Sequence, residues 1–279
     1  MKTKYKAVFI VGRCKTGKSY FMNVLRRKLL NENDRLLQGF EVQHGLVSAT
    51  HGIWVMDCHC ENDEASVLLC DTQAAEEASN IFAMSVLLSS CIIINIMRRI
   101  DAEEVNFLKR LLEPIKNKKF DQVVFLIRDW ALPDIFPFGL AGGNRYLDTV
   151  FEQYRNVGFE TVMNVFEKKS CFLMPAIGTS EQEDPQYFLH YTKFEVRKQF
   201  DEHCDSFVKD VIENLQKSHD SQTFAKRISS AVKELPKKEC KSTDIGQNGF
   251  KKKILISIIR MSLIFIIVFS GMEAMQLLA

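Results

Sequence analysis

Apolar positions along the first two thirds of the chain form short runs that alternate with segments of helical spacing. Ala7-Val8-Phe9-Ile10-Val11 is a continuous apolar run rich in β-branched and aromatic residues, the pattern of a buried strand. Tyr20-Phe21-Met22-Asn23-Val24-Leu25 has the spacing of a helix, predicted over Lys18 to Leu30 and broken by Asn31-Glu32-Asn33-Asp34. A polar loop from Gly39 to His51 precedes a second strand that begins at Gly52-Ile53-Trp54-Val55-Met56. Glu61-Asn62-Asp63-Glu64 reads as a turn and Ser66-Val67-Leu68-Leu69-Cys70 as a third strand. So short a polar connection predicts an antiparallel hairpin.

Helical periodicity over Glu76 to Leu88 leads into Cys91-Ile92-Ile93-Ile94-Asn95-Ile96, predicted as a central strand. Ala102 to Leu112 is amphipathic, and Val123-Val124-Phe125-Leu126-Ile127 is a further buried strand that ends at Arg128-Asp129. A loop is predicted through Pro133, Pro137, Gly139, Gly142 and Gly143, with helices over Tyr146 to Tyr154 and Phe159 to Phe166. Cys171-Phe172-Leu173-Met174 is the last strand, stopped by Pro175. Strands alternating with helices define an α/β fold, a mostly parallel sheet with helices on both faces. Ligands of such sheets bind beyond the carboxyl ends of the strands. Gly12, Asp71 and Arg128-Asp129 all fall at such ends.

Composition narrows this picture. A chain of 279 residues with 46% hydrophobic residues has room for one sizeable domain plus extensions. The formal net charge of +2 gives no reason to expect nucleic acid as a partner. The N-terminus runs straight into the first strand without a signal-peptide pattern. The eight cysteines show no disulfide-framework spacing, which suggests reduced thiols in the cytosol. Cys58-His59-Cys60 invites a metal reading, but on a strand Cys58 and Cys60 share a face that His59 does not, and no second pair completes a zinc site. From 191 to 235 the chain is charged and helical, predicted either to pack on the first domain (1–190) or to lead away from it. Residues 236–253 read as a polar, basic linker.

The chemistry concentrates at Gly12-Arg13-Cys14-Lys15-Thr16-Gly17-Lys18-Ser19, which fits the phosphate-loop pattern between a strand and a helix opened by Tyr20. Glycines let the backbone bend round an anion, successive N–H groups point at phosphate oxygens, and the helix N-terminus adds partial positive charge. Lys18 would reach the terminal phosphates and the Ser19 hydroxyl would ligate Mg²⁺. Thr50 is the right kind of residue for a metal-ligating switch, or else a solvent-facing loop threonine. Asp71 would support the metal from outside its ligand set. Gln73 would place an attacking water, or is only a polar loop residue. Guanine offers two adjacent donors, N1–H and N2–H₂, that a carboxylate can accept together. Arg128-Asp129 therefore reads either as a base-recognition element or as a strand-end salt bridge.

Taken together, these segments resemble the dynamin-related GTPases of the atlastin and guanylate-binding-protein group, more closely the atlastins. The resemblance covers about residues 5–215. It rests on the loop through Asn23, on Gly39-Phe40, Thr50-His51-Gly52-Ile53-Trp54, Leu69-Cys70-Asp71-Thr72-Gln73 and the run from Ile81 to Ser90. The most specific segments are Phe125-Leu126-Ile127-Arg128-Asp129-Trp130-Ala131-Leu132-Pro133 and Gly139-Leu140-Ala141-Gly142-Gly143. It implies GTP, hydrolysed with Mg²⁺ and coupled to dimerisation through the GTPase domain, at the endoplasmic reticulum membrane with that domain in the cytosol. It also implies that Lys18 and Ser19 hold phosphate and metal, Thr50 is the switch ligand, Asp71 supports the metal, and Arg128 and Asp129 recognise guanine. Two positions depart from the family pattern. Lys15 stands where the family carries an arginine that acts as a finger in cis, and lysine lacks the planar fork. Ala74 replaces the glycine of Asp-Thr-x-Gly. Both departures favour binding over turnover, so the resemblance leaves open a GTP-binding pseudoenzyme that recruits a partner. A phosphate-loop enzyme using ATP is a third, weaker reading.

After Lys251-Lys252-Lys253 comes an apolar run from Ile254 to Met272, interrupted by Arg260. Nineteen helical residues would span roughly 28 Å, close to a hydrocarbon core. Arg260 would cost about 2.5–3.5 kcal/mol at mid-membrane but can snorkel near an end. With few residues after it, the run is expected to insert as a tail anchor. A helix lying in the interface or a core helix of the globular domain are the alternatives.

Overall fold

Lys4–Gly12 forms the first strand, β1, and occupies the middle of a six-stranded sheet in a computed structural model that describes residues 4–30, 39–42, 50–58, 65–177 and 198–213 with Leu215 and Arg227. The remaining elements in chain order are α1 (Lys18–Leu29), β2 (Ile53–Cys58), β3 (Ala65–Thr72), α2 (Ser79–Leu88), β4 (Cys91–Met97), α3 (Ala102–Leu112), β5 (Phe120–Arg128), α4 (Leu140–Tyr154), α5 (Phe159–Met163), β6 (Phe166–Leu173) and α6 (Lys198–Phe207). The sheet order is β2-β3-β1-β4-β5-β6. β1 pairs in parallel with β3 on one side and β4 on the other, and only β2 runs antiparallel, as the hairpin partner of β3. Successive connections therefore leave β1 in opposite directions. That reversal opens a crevice at the carboxyl end of β1, where open α/β sheets bind ligands.

Both sheet faces are buried. Val8, Ile10, Val67, Leu69, Ile93, Val124 and Leu126 pack on one face against Phe21, Met22, Val24 and Leu25 of α1. The intervening residues Phe9, Leu68, Ile92, Ile94 and Phe125 are equally buried on the opposite face, where Phe125 meets Phe159 of α5 at 5.9 Å between centroids. The near-continuous apolar runs of the central strands follow from this double coverage. α6 packs on the α1 face rather than leading away. Phe207 sits edge-on to Phe21 at 5.3 Å and to Phe172 at 5.1 Å, and Phe200 and Cys204 are buried beside it. Lys28 of α1 reaches Asp201 and Asp205 of α6. Farther along the chain, Arg227 donates to the Ser89 carbonyl at 2.8 Å and pairs with Asp121.

Three boundaries differ from the sequence expectation. α2 starts at Ser79, because Ala74 to Ala78 make a turn in which Ala78 N–H bonds the Ala74 carbonyl. α4 begins at Leu140, so Gly142 and Gly143 are helical rather than loop. Their missing side chains let the helix touch backbone. A Cβ at Gly142 would lie 1.8 Å from the Pro137 oxygen, and one at Gly143 would lie 2.0 Å from the Cys171 oxygen. Phe166 opens β6 instead of closing the preceding helix. Of Cys58-His59-Cys60 only Cys58 is described. The six described cysteines are free thiols, and no cluster of metal-ligating His, Cys, Asp or Glu occurs among the described residues. No helix among the described residues is long and apolar enough to cross a membrane, and 254–272 lies outside them.

Candidate functional site

Gly12 ends β1 at φ 151°, with its Cα so close to β4 that a Cβ would sit 2.4 Å from the Asn95 carbonyl oxygen. Only glycine fits there. The chain then turns through Arg13 to Thr16 and enters α1 at Gly17, whose φ of 74° is the left-handed geometry glycine adopts without strain. Two bonds within the loop and one from β4 hold it. Thr16 Oγ1 and Lys18 Nζ both donate to the Arg13 carbonyl at 2.9 Å, and Asn95 Nδ2 donates to the Thr16 carbonyl at 2.8 Å. Burial lowers the Lys18 pKa, opposed by the carboxylates of Asp71, Glu76 and Glu77. A phosphate beside Lys18 would add to the counter-charge that these carboxylates supply.

Ser19, Thr50 and Asp71 converge next to the loop. Ser19 Oγ donates to Asp71 Oδ2 at 2.6 Å, Thr50 Oγ1 donates to the same oxygen at 2.9 Å, and the two hydroxyls are 3.3 Å apart. Thr50 is thus buried against Asp71, not facing solvent. Asp71 is 1% exposed, and its other oxygen, Oδ1, is buried without a hydrogen-bond partner. Burial raises the Asp71 carboxyl above its ordinary range, against the lowering effect of both hydroxyls and of Lys18. Three hard oxygen donors with one buried lone-pair face unused suit Mg²⁺, which prefers oxygen and usually keeps waters between itself and some of its carboxylates. Ser19 and Thr50 would hold the ion, with Asp71 behind them.

The two strands of the hairpin bring these groups together. β2 and β3 pair with Ile53 opposite Thr72. Just beyond, Gln73 N–H donates to the Gly52 carbonyl at 2.8 Å and Gly52 N–H donates to Gln73 Oε1 at 3.1 Å. Gln73 Nε2 donates to Glu77 at 3.2 Å. Ala74 is buried and is not among the residues at positive φ, so alanine is accommodated at this position.

The remaining predicted residues separate by exposure. Lys15 stands exposed at the loop apex with φ 58°. Arg13 turns away. Its Nε donates to Glu104 Oε2 at 2.8 Å, its Nη2 to Glu103, and its guanidinium lies 4.2 Å from the Phe107 ring centre. Cys14 N–H donates to Glu76 Oε1 at 2.6 Å. Tyr20 points into the core beneath α1. Arg128 also lies inside, 4% exposed, with its guanidinium 5.5 Å from the Phe21 ring and 5.6 Å from the Phe200 ring. A Cβ at Gly17 would be 3.4 Å from its Nη1. So the guanidinium lies inside the domain, close beneath Gly17 of the loop. Asp129, at φ 55°, turns out of the strand, a backbone region that Asp tolerates better than most residues. Trp130 anchors the next turn by donating from Nε1 to the Phe136 carbonyl at 2.9 Å and packing on Tyr146 at 4.8 Å.

Sequence patterns did not single out Asn95 or Glu76. The first carried a signal, one amide in an otherwise apolar central strand. The second, an exposed glutamate in a polar stretch, carried none.

A phosphate loop at the reversal point of a mostly parallel sheet, with a hydroxyl–hydroxyl–carboxylate cluster beside it, defines a nucleoside-triphosphate-binding α/β domain. The profile of the guanylate-binding protein N-terminal domain matches residues 2–220, and the chain belongs to that family, which includes the atlastins. It is 28% identical to Atlastin-2 of Homo sapiens over 214 residues, 64% of this chain and 36% of that protein. It is 26% identical to Atlastin-1 of Bos taurus over 215 residues, 65% of this chain and 38% of that protein. The chain thus matches well under half the length of these curated relatives.

Proposed function

We propose that the chain binds GTP with Mg²⁺ and hydrolyses it slowly, as an atlastin-type GTPase. The convergence of Ser19, Thr50 and Asp71 beside Lys18 is the observation that carries this reading. The loop amides and Lys18 hold the phosphates, and Asp129 accepts the two guanine donors at the end of β5. Mg²⁺, held by Ser19 and Thr50, would neutralise charge on the terminal phosphates. Gln73 lies where the loop after β3 could orient a water. Family membership supports dimerisation through this domain. The apolar run 254–272, preceded by three lysines, supports attachment to the endoplasmic reticulum membrane with the domain on the cytosolic side.

A second reading, a GTP-binding pseudoenzyme that recruits a partner, is favoured by one specific observation. Arg13 is tied to α3 and Lys15 has no guanidinium, so neither supplies an arginine finger, a group worth several orders of magnitude in related chemistry. Titration of GTP and ATP onto the purified chain, with single-turnover hydrolysis and Lys18→Ala as control, tests both. Micromolar GTP affinity lost in Lys18→Ala supports the site, and equal ATP affinity sinks the guanine assignment. Binding with no turnover leaves the pseudoenzyme. Alkaline extraction of the full chain from membranes checks the anchor; release into the supernatant counts against it.

A further inference from the structure

β4 is an apolar strand with one polar residue in its centre. Cys91 to Ile94 and Ile96 are buried, and Asn95 among them is 1% exposed. A carboxamide there is costly unless it is bonded. It makes one bond, from Nδ2 to the Thr16 carbonyl at 2.8 Å, across 79 residues of sequence, while Oδ1 has no partner. The amide orientation is fixed chemically, because the reverse assignment would set oxygen against oxygen.

The peptide that joins Thr16 to Gly17 is trans and planar, so its C=O and N–H point in opposite directions. With the carbonyl directed at Asn95 in the core, the Gly17 N–H is directed away from β4, toward the open side of the loop. The two bonds within the loop both end on the Arg13 carbonyl and do not restrain this peptide. Gly17 is also the left-handed residue that precedes α1, where glycine's freedom would otherwise let the peptide rotate. We propose that Asn95 is a positioning residue of the phosphate cradle, which turns the Gly17 N–H toward the nucleotide phosphates by holding the Thr16 carbonyl. This rests on the reading of the loop as a triphosphate site.

The consequence is a loss of binding that scales with phosphate and ignores the base. In the purified full chain, Asn95→Ala weakens GTP and GDP about tenfold, the scale of one oriented bond to a charged group. Competition by guanosine, which has no phosphate, is unchanged, and so is the ratio of GTP to ATP affinity. Asn95→Asp, which is isosteric, is weak at neutral pH because an ionised carboxylate faces the Thr16 carbonyl. It recovers as pH falls, since the protonated acid donates its O–H, whereas Asn95→Ala does not recover. A merely structural role would not give the phosphate dependence, and the rescue by acid shows that the effect runs through the bond to the Thr16 carbonyl. Thermal melts report folding. If Asn95→Ala loses its transition, the pH series of Asn95→Asp decides alone. Asn95→Ala binding GTP within twofold of the parent, equal loss of guanosine, or a flat Asn95→Asp profile overturns the proposal. A parent chain that binds no GTP overturns the functional reading instead.

Discussion

The guanidinium of Arg13 is bonded to Glu104 on α3, 2.8 Å from Nε to Oε2, although Arg13 belongs to the phosphate loop. Burial alone would lower the Arg13 pKa, but Glu104, then Glu103 and Glu76, raise it, so the group stays charged and anchored. It is the only arginine between Gly12 and Ser19, and its contacts point it away from the phosphates. We predict that Arg13→Ala changes single-turnover GTP cleavage by less than about threefold. Lys15→Arg, by restoring a planar fork at the loop apex, raises cleavage by at least about tenfold. Loss of cleavage in Arg13→Ala would reassign the finger role.

Asp71 sets stability against function. Its folded pKa is raised by burial, so its ionised form is penalised at neutral pH, and the penalty declines as pH falls below the folded value and vanishes below the unfolded one. Asp71→Asn removes the charge and keeps an acceptor for Ser19 and Thr50. The variant is expected to melt above the parent at neutral pH, by about 2–4 °C for each kcal/mol recovered. That advantage shrinks toward zero as pH is lowered. Mg²⁺-dependent GTP binding falls at least about tenfold. Equal melting temperatures at neutral pH would mean that the ionised Asp71 is not penalised.

Asp129 and Arg128 are adjacent in sequence and opposite in placement, and their variants should behave differently. Asp129→Asn replaces an acceptor-only group with an amide that can donate to the C2 carbonyl of xanthine. It is predicted to lower GTP affinity by about tenfold or more and to gain XTP binding. Arg128→Met fills a similar volume and removes a buried cation whose Nε and Nη1 are unpartnered. It should leave the ratio of GTP to ITP affinity within about twofold, with stability unchanged or higher by thermal melt. A collapse of the GTP:ITP ratio in Arg128→Met would restore the arginine as a base reader.

Glycine to alanine inside a helix ordinarily stabilises by about 1 kcal/mol. Gly143→Ala in α4 should reverse that sign, because the new Cβ would lie 2.0 Å from the Cys171 carbonyl oxygen of β6. The expected cost is about 2–3 kcal/mol, read as a lower urea midpoint. A midpoint at or above the parent's would show that α4 can lift off the sheet.

The sequence made the sheet legible because its central strands are buried on both faces and read as unbroken apolar runs. The hairpin, the phosphate loop and the α3 boundaries emerged from local signals alone. Gly142 and Gly143 misled because glycine pairs signal turns locally, whereas here they admit a carbonyl from β6 and another from Pro137. The burial of Arg128 was not legible. A charged residue at a strand end reads as exposed until Phe200, 72 positions later, is found covering it. Asn95 was visible as an anomaly, but its partner Thr16 is fixed only by the parallel pairing of β1 with β4.

Gly52 and Gln73 clamp the open end of the β2–β3 hairpin with a bond in each direction. Thr50 precedes that clamp, whereas Asp71 belongs to β3 itself and is paired with Ile10 of β1, so the cluster has one half in the sheet and one half joined to it through the clamp. Loss of a bound terminal phosphate would free Thr50 while Asp71 stays in the sheet, and a probe on Trp54, exposed on the outer strand, would register that release as one kinetic phase.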